Sequence, residues 1–225
     1  MTGIWLLLLL ILAAALPAIL VFFWLRTKKS AVTLPWFLIS VAGGILSILA
    51  AALFQQLIPP RDDGFWQLFF DVFFRIALTE EVSRLFILIP LYIIGSAHKN
   101  STAFGAALGL AAGMGFAMIE NAFHGITDIN ITLLRAFTAA PLHGACGLKV
   151  GFAVFTFGKN KRKAISHFLS AVFIHGAYNM IILNPALPSA LAILIAFIAL
   201  FNSLQLTKNP DGNNENTYNS TGHLT

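Results

Sequence analysis

The sequence predicts an all-α, polytopic transmembrane helical bundle of about seven spans, with the N-terminus outside and a cytoplasmic C-terminal tail. Three observations predict it. Of 225 residues, 58% are hydrophobic and 10% charged, with a mean hydropathy of +0.81, whereas soluble domains carry about 25% charged residues. Apolar runs recur at roughly the 20-residue length that a helix needs to cross the hydrocarbon. The polar loops between them alternate in charge, as the positive-inside rule requires of a multi-pass protein.

The first span is expected over Ile4 to Leu25. Its Ala-rich end resembles a signal peptide, but no positive charge precedes the apolar core and Arg26, Lys28 and Lys29 follow it, so it reads as an uncleaved span. The second span covers Leu34 to Ile58, where Gly43-Gly44 invites close helix contact. Phe65 to Ile76 reads as an aromatic-rich interfacial helix, with Asp71 and Arg75 at i,i+4 spacing, leading into a third span over Arg75 to Ile94. The fourth to seventh spans cover Thr102 to His124, Ile131 to Phe157, Ala164 to Leu183 and Ser189 to Leu206.

Loops after spans one, three and five carry Arg26, Lys28 and Lys29, then Lys99, then Lys159, Lys161, Arg162 and Lys163. The others carry Arg61 with two Asp, Asp128 alone, or no charge, which sets the orientation. Residues 1–206 therefore form a single integral membrane domain. Residues 207–225 are Asn-rich and polar, and are expected to be a disordered cytoplasmic tail. The net charge of +5 resides largely in these loops and indicates topology, not nucleic-acid binding. The single Cys146 excludes a disulfide framework and a Cys-rich metal site.

A few polar groups remain inside spans, where a charge costs at least ~2.5 kcal/mol. Glu80, Glu81 and Arg84 lie on the third, Glu120 and Asn121 on the fourth, His143 on the fifth, and His175 with Asn179 on one face of the sixth. Taken singly, each has a plain structural reading. Glu80 and Arg84 suit a helix-locking ion pair, Glu120 suits a pair with His124, and either His suits an interhelical hydrogen bond. Arg135 and Lys149, which flank His143, snorkel or pair. At about 1.5 Å rise per residue, however, the carboxylates and imidazoles reach compatible depths and are expected to converge in the outer half of the bundle.

Hydrolysis of a peptide bond needs an activated nucleophile and donors for the oxyanion. The chain has no Gly-x-Ser-x-Gly elbow, no His-Glu-x-x-His and no Gly-x-Gly-Asp. Water activated by a carboxylate remains, with one Glu as base and another as acid. Two His and a Glu would equally suit Zn²⁺, which takes three protein ligands and a water in catalytic sites. The sequence leaves both routes open.

Four segments in this order, Glu80-Glu81-x-x-Arg84, Gly109-x-x-x-Gly113-x-Gly115-Phe116-x-x-x-Glu120-Asn121, Pro141-x-His143-Gly144 and His175-Gly176-x-x-Asn179, resemble the PrsW family of intramembrane proteases. That family is related to the glutamic-type CAAX-protease and Abi group. The resemblance covers about residues 74–183. It implies cleavage of membrane-associated protein or peptide substrates at a bacterial plasma membrane. The founding member makes the first cut in an anti-sigma factor, on the extracytoplasmic side. Carried over by position, Glu80, Glu81, Glu120, His143 and His175 form the catalytic set, with Arg84, Asn121 and Asn179 in support. A Lys is common where this chain has Arg84, and an acid occurs in relatives where it has Asn179.

The reading that results is a glutamic-type endopeptidase acting without a cofactor, with a zinc-dependent variant second. Glu81 is the expected base, exchangeable with Glu80. Glu120 is the partner acid or a second water ligand, and both His stabilise the oxyanion. A proton-coupled transporter and a non-catalytic scaffold or immunity-type protein are the alternatives that the same buried carboxylates allow.

Overall fold

The structure is a computed structural model, and it describes residues 3–59, 64–95, 101–126, 129–184 and 186–208. Among these there are helices and no strand. The helices are α1 (Gly3–Thr27), α2 (Leu34–Leu57), α3 (Phe65–Phe70), a π-helix (Asp71–Leu78), α4 (Thr79–Ile94), α5 (Thr102–His124), α6 (Ile129–Thr156), α7 (Lys161–Leu183) and α8 (Ala190–Leu204), which ends in a 3₁₀ turn (Gln205–Thr207). Residues 65–94 form one continuous rod, so the chain makes seven rods in the described residues.

Five of the helices are long and apolar enough to cross a membrane: α1, α2, α5, α7 and α8. The other two rods, 65–94 and α6, hold the ionisable residues Glu80, Glu81, Arg84, Arg135 and Lys149. The protein is an integral, multi-pass membrane protein. Its outer surface presents Leu12, Leu20, Leu49, Leu53 and Phe201, while Glu81, Arg84, His143 and His175 lie inside. That is the polarity expected of a bundle whose solvent is lipid. The loop arginine and aspartates at 61–63, the loop 96–100 with Lys99, Asp128 and the polar tail from 209 lie outside the described residues.

α5 is the central element and is buried along nearly all its length. Its Gly- and Ala-rich sequence gives it a thin cross-section, so neighbouring backbones come close. At Gly109 an added Cβ would fall 2.9 Å from the Gly151 Cα of α6, and closer still to the Gly147 carbonyl oxygen. One turn along, a Cβ at Gly113 would run into the backbone carbonyl of His143. This contact seats the His143 backbone against the middle of α5. On the opposite side, Gly44 of α2 meets the Ala112 backbone, which is the close approach expected of Gly43-Gly44.

The rod before α4 differs from expectation. Residues 71–78 wind as a π-helix, whose i→i+5 turn is wider than an α-turn. The wider turn takes Asp71 and Arg75 out of i,i+4 register. Arg75 Nε donates instead to the Ile58 carbonyl at the end of α2, at 2.9 Å. Thr79 closes the irregularity, its hydroxyl reaching the carbonyls of Arg75 (2.6 Å) and Ile76 (3.0 Å). Glu80 and Glu81 follow at once, in the first turn of α4.

Candidate active site

The first turn of α4 brings both carboxylates and, one turn on, Arg84 to the inside of the bundle. Relative exposure is 6% for Glu80 and 0% for Glu81 and Arg84. α6 supplies His143 and α7 supplies His175, each 1% exposed. α5 supplies Glu120, whose side chain keeps 23% of its exposure. The five expected site residues and Arg84 form one hydrogen-bonded and ion-paired cluster.

Arg84 is its hub. One terminal nitrogen, Nη1, donates to Glu81 Oε1. The other, Nη2, lies 2.7 Å from His143 Nδ1. A guanidinium only donates, so Nδ1 must accept, and the proton of a neutral His143 sits on Nε2. Nε2 in turn lies 2.6 Å from Glu120 Oε2, where it donates. Both ring nitrogens of His143 are therefore engaged.

His175 is held differently. Its Nδ1 lies 2.7 Å from Glu81 Oε1 and donates to it. Its Nε2 faces Glu80 Oε2 at 3.5 Å, beyond a good hydrogen bond. Glu80 Oε2 is buried and has no hydrogen-bond partner, with Arg84 Nη2 3.9 Å away. The other oxygen of Glu80 accepts a long bond, 3.4 Å, from Gln55 Nε2 of α2. Glu81 is thus fixed through Oε1 between Arg84 and His175, with its Oε2 buried and unpartnered, while the free oxygen of Glu80 lies beside the one ring nitrogen of the two imidazoles that has no hydrogen bond.

Arg135 of α6 completes the outer edge. Its Nη2 lies 2.9 Å from Glu120 Oε1 and its Nε donates to Asn121 Oδ1 at 3.0 Å. The expected Glu120–His124 pair is also present, longer, at 3.7 Å. Asn121, fully buried, thereby orients Arg135 and through it Glu120. Phe116 forms a floor under the cluster. The Arg84 guanidinium lies 4.3 Å above its ring centroid, and the His143 ring packs against it at 5.0 Å. The two imidazoles meet edge to face at 5.2 Å. Asn179 is half-buried, one turn beyond His175 on the same face.

Two residues in this arrangement, Gln55 and Phe116, had no assigned role in the sequence reading, and Arg135, expected to snorkel or pair, pairs with Glu120. Arg135 carried a signal, since an arginine within a span needs a partner. Phe116 opens the Phe-x-x-x-Glu-Asn segment. Gln55 carried none, being uncharged and on a different span.

Glu80, His143 and His175 offer ligand atoms within 4.8 Å of one another, as do Glu81, Cys146 and His175. The first set is of the kind that catalytic zinc uses. Glu80 Oε2 and His175 Nε2 fit a metal, since both have a free lone pair and Glu81 supports His175 from behind. His143 does not fit while Arg84 occupies its Nδ1 and Glu120 takes the proton of its Nε2. In the second set, the Cys146 thiol is turned to the Ala171 carbonyl.

A family model described as "PrsW family intramembrane metalloprotease" matches residues 2–204. Two similar proteins are each named "Protease PrsW". One, from Clostridioides difficile (strain 630), is 26% identical over 217 residues, covering 88% of this chain and 89% of that protein. The other, from Oceanobacillus iheyensis (strain HTE831), is 26% identical over 178 residues, covering 76% and 81%. No solved structure gives a significant match. The family match spans nearly the whole chain, beyond the four segments that first suggested it, and the chain belongs to the PrsW family of intramembrane proteases.

Proposed function

We propose that this protein is an endopeptidase that cuts membrane-associated protein substrates with water activated by Glu80. The observation that carries the reading is the free, buried Glu80 Oε2, 3.5 Å from His175 Nε2. A buried carboxylate oxygen with no partner is costly, and here it faces the one ring nitrogen of the cluster left free. Glu81 Oε2 is buried and unpartnered as well, but the geometry favours Glu80 as the base, because its free oxygen faces His175 Nε2 while Glu81 is held through Oε1 by Arg84 and His175.

Charge balance supports the same assignment. Glu80, Glu81 and Glu120 face two fixed cations, Arg84 and Arg135. One added proton makes the cluster neutral, as buried ion clusters require. In the proposed resting state that proton lies on His175 Nε2, beside an ionised Glu80. Glu80 Oε2 takes a proton from water as the water oxygen bonds to the scissile carbonyl carbon. The Asn179 amide, one turn from His175, donates to the oxyanion. His175 then delivers its Nε2 proton to the departing nitrogen and the C–N bond breaks. The proton gained by Glu80 returns to His175 Nε2, which restores the resting state. In this scheme His143 and Glu120 are positioning residues: Glu120 holds His143, and His143 holds Arg84.

The donor trio and the family description favour a metal-dependent variant as the second reading. Glu80 and His175 would hold the ion, which would polarise the carbonyl and acidify its bound water. The engagement of both His143 nitrogens weighs against it.

The substrate class we propose is a single-pass membrane protein of anti-sigma-factor type. The proposed orientation keeps the N-terminus outside and the site in the outer half of the bilayer. The test is reconstitution of purified protein in liposomes with a single-pass substrate. The expected result is a discrete cleavage product that is absent with Glu80→Gln and with His175→Ala. Intact substrate with the wild-type protein, alongside proton or solute flux across the same liposomes, would overturn the reading in favour of a transporter.

A further inference from the structure

A polar cavity lies at the opposite end of α5 from Glu120, remote from the cluster of Glu80, Glu81, His143 and His175. It has a volume of about 530 Å³ and is bounded by the C-terminal end of α1, the N-terminal end of α5 and the C-terminal end of α8. We propose that it binds the phosphate headgroup of an anionic phospholipid.

Among the described residues, the polar part of the lining offers donors and no carboxylate. Lys28, Lys29 and Lys208 all line it. Lys29 has a left-handed backbone, φ +51°, which folds the chain back over the end of α1 and brings Ser30 and Ala31 into the wall. The Ser30 hydroxyl oxygen accepts from the Val32 amide (3.3 Å), and that of Ser101 accepts from the Phe104 amide (3.1 Å). Each serine oxygen is thus used as an acceptor, and its O–H remains available to donate to a bound anion. Ser101 also caps α5, whose first amides, at Thr102 and Ala103, have no intrahelical acceptor. Ammonium groups, hydroxyls and a helix N-terminus together select an anion, and phosphate suits all three.

The rest of the wall is apolar, and this separates a lipid from a free anion. Trp24, Phe104 and Phe201 line the same cavity. Phe201 is 65% exposed on the outer face of the bundle, where acyl chains would pass. A tryptophan and lysines at the end of a span mark the headgroup level of a bilayer, and basic pockets between helix ends are suited to anionic headgroups. Inorganic phosphate has no use for the aromatic wall. The proposal stands independently of the proteolytic reading.

The test uses the full-length protein in detergent, incubated with mixed micelles of phosphatidylglycerol and phosphatidylcholine and then freed of excess lipid. Retained lipid is counted by mass spectrometry. Phosphatidylglycerol is expected to be retained over phosphatidylcholine, and K28Q/K29Q/K208Q is expected to lower its retention roughly tenfold or more. The K161Q/R162Q/K163Q variant removes the same charge from another loop and is expected to retain it. Phe201→Glu, which places a carboxylate at the apolar wall, is expected to lose it as the lysine variant does. Equal retention by the two triple variants would overturn the proposal, as would phosphatidylcholine held as firmly as phosphatidylglycerol. Displacement of the lipid by excess inorganic phosphate would assign the cavity to a free anion and overturn it likewise.

Discussion

Arg84 Nη2 lies 2.7 Å from His143 Nδ1, a contact that sets the tautomer of one imidazole and underlies the roles proposed for both. His143 is left with a proton for Glu120 and nothing for substrate, and His175 becomes the ring with a free nitrogen. Arg84→Met removes the partner of a fully buried Glu81. Breaking a buried pair from one side costs about 3–5 kcal/mol, and thermal or denaturant unfolding in detergent should show a loss of that size. Arg84→Lys keeps the charge but cannot reach Glu81 and His143 with a planar fork. It should unfold closer to wild type than Arg84→Met does.

In the proposed mechanism Arg135 acts through Glu120, which it holds at 2.9 Å while bonding Asn121 with a second nitrogen. Hydrogen bonds to charged groups are worth about 1.5–3 kcal/mol, which corresponds to roughly 10- to 100-fold in rate. Arg135→Gln should lower kcat by that order and leave KM nearly unchanged, and Arg135→Lys should recover part of the loss. A change confined to KM would place Arg135 in substrate binding instead.

Chelator treatment of the purified protein should leave cleavage unchanged, because Arg84 and Glu120 occupy both nitrogens of His143. Elemental analysis of active protein should find no stoichiometric zinc. A bound metal whose removal ends cleavage, and whose return restores it, would replace the metal-free mechanism with the second reading.

Gly109 separates α5 from α6 by backbone contact alone, with the Gly151 Cα 2.9 Å from where its Cβ would sit. Gly109→Leu has no flexible neighbour to displace and should cost more than the roughly 1–3 kcal/mol of ordinary overpacking. It should be seen as loss of folded protein on size-exclusion chromatography. At Gly158 an added Cβ meets only the Tyr92 hydroxyl, at 4.0 Å, and Gly158→Ala should stay within about 0.5 kcal/mol of wild type.

The parts of the site legible in the sequence are those that are expensive in a membrane. Glu80, Glu81, Arg84, Glu120, His143 and His175 each interrupt an apolar run, and the structure gathers all of them. Apolar runs are legible too: five of the seven expected spans correspond to helices long and apolar enough to cross a membrane, and Thr102–His124 coincides with its expected bounds. The choice of partner is not. Arg84 is near Glu80 at i,i+4 and Glu81 at i,i+3, and only the neighbouring helices decide that it bonds Glu81. The π-helix is hidden because eight residues of hydrophobic pattern do not separate a 3.6-residue turn from a wider one, and with it went the expected Asp71–Arg75 pair. Gln55 is silent because an uncharged amide costs little at the end of a span, and its contact with Glu80 links segments 25 residues apart.

The assignment of the base to Glu80 is tested most directly by pairing cleavage with stability in two isosteric variants, Glu80→Gln and Glu81→Gln. Each carboxylate keeps one unpartnered oxygen, but the other oxygen of Glu80 makes only a long bond to Gln55, whereas that of Glu81 is gripped by Arg84 and His175. Glu80→Gln should therefore unfold like the wild type while single-turnover cleavage falls by about 10²- to 10⁴-fold, the usual contribution of a general base. Glu81→Gln should lose both cleavage and about 3–5 kcal/mol of stability, as a buried arginine is left uncompensated. A Glu80→Gln protein that still cleaves, beside a stable Glu81→Gln protein that does not, would contradict the assignment and return the base to Glu81.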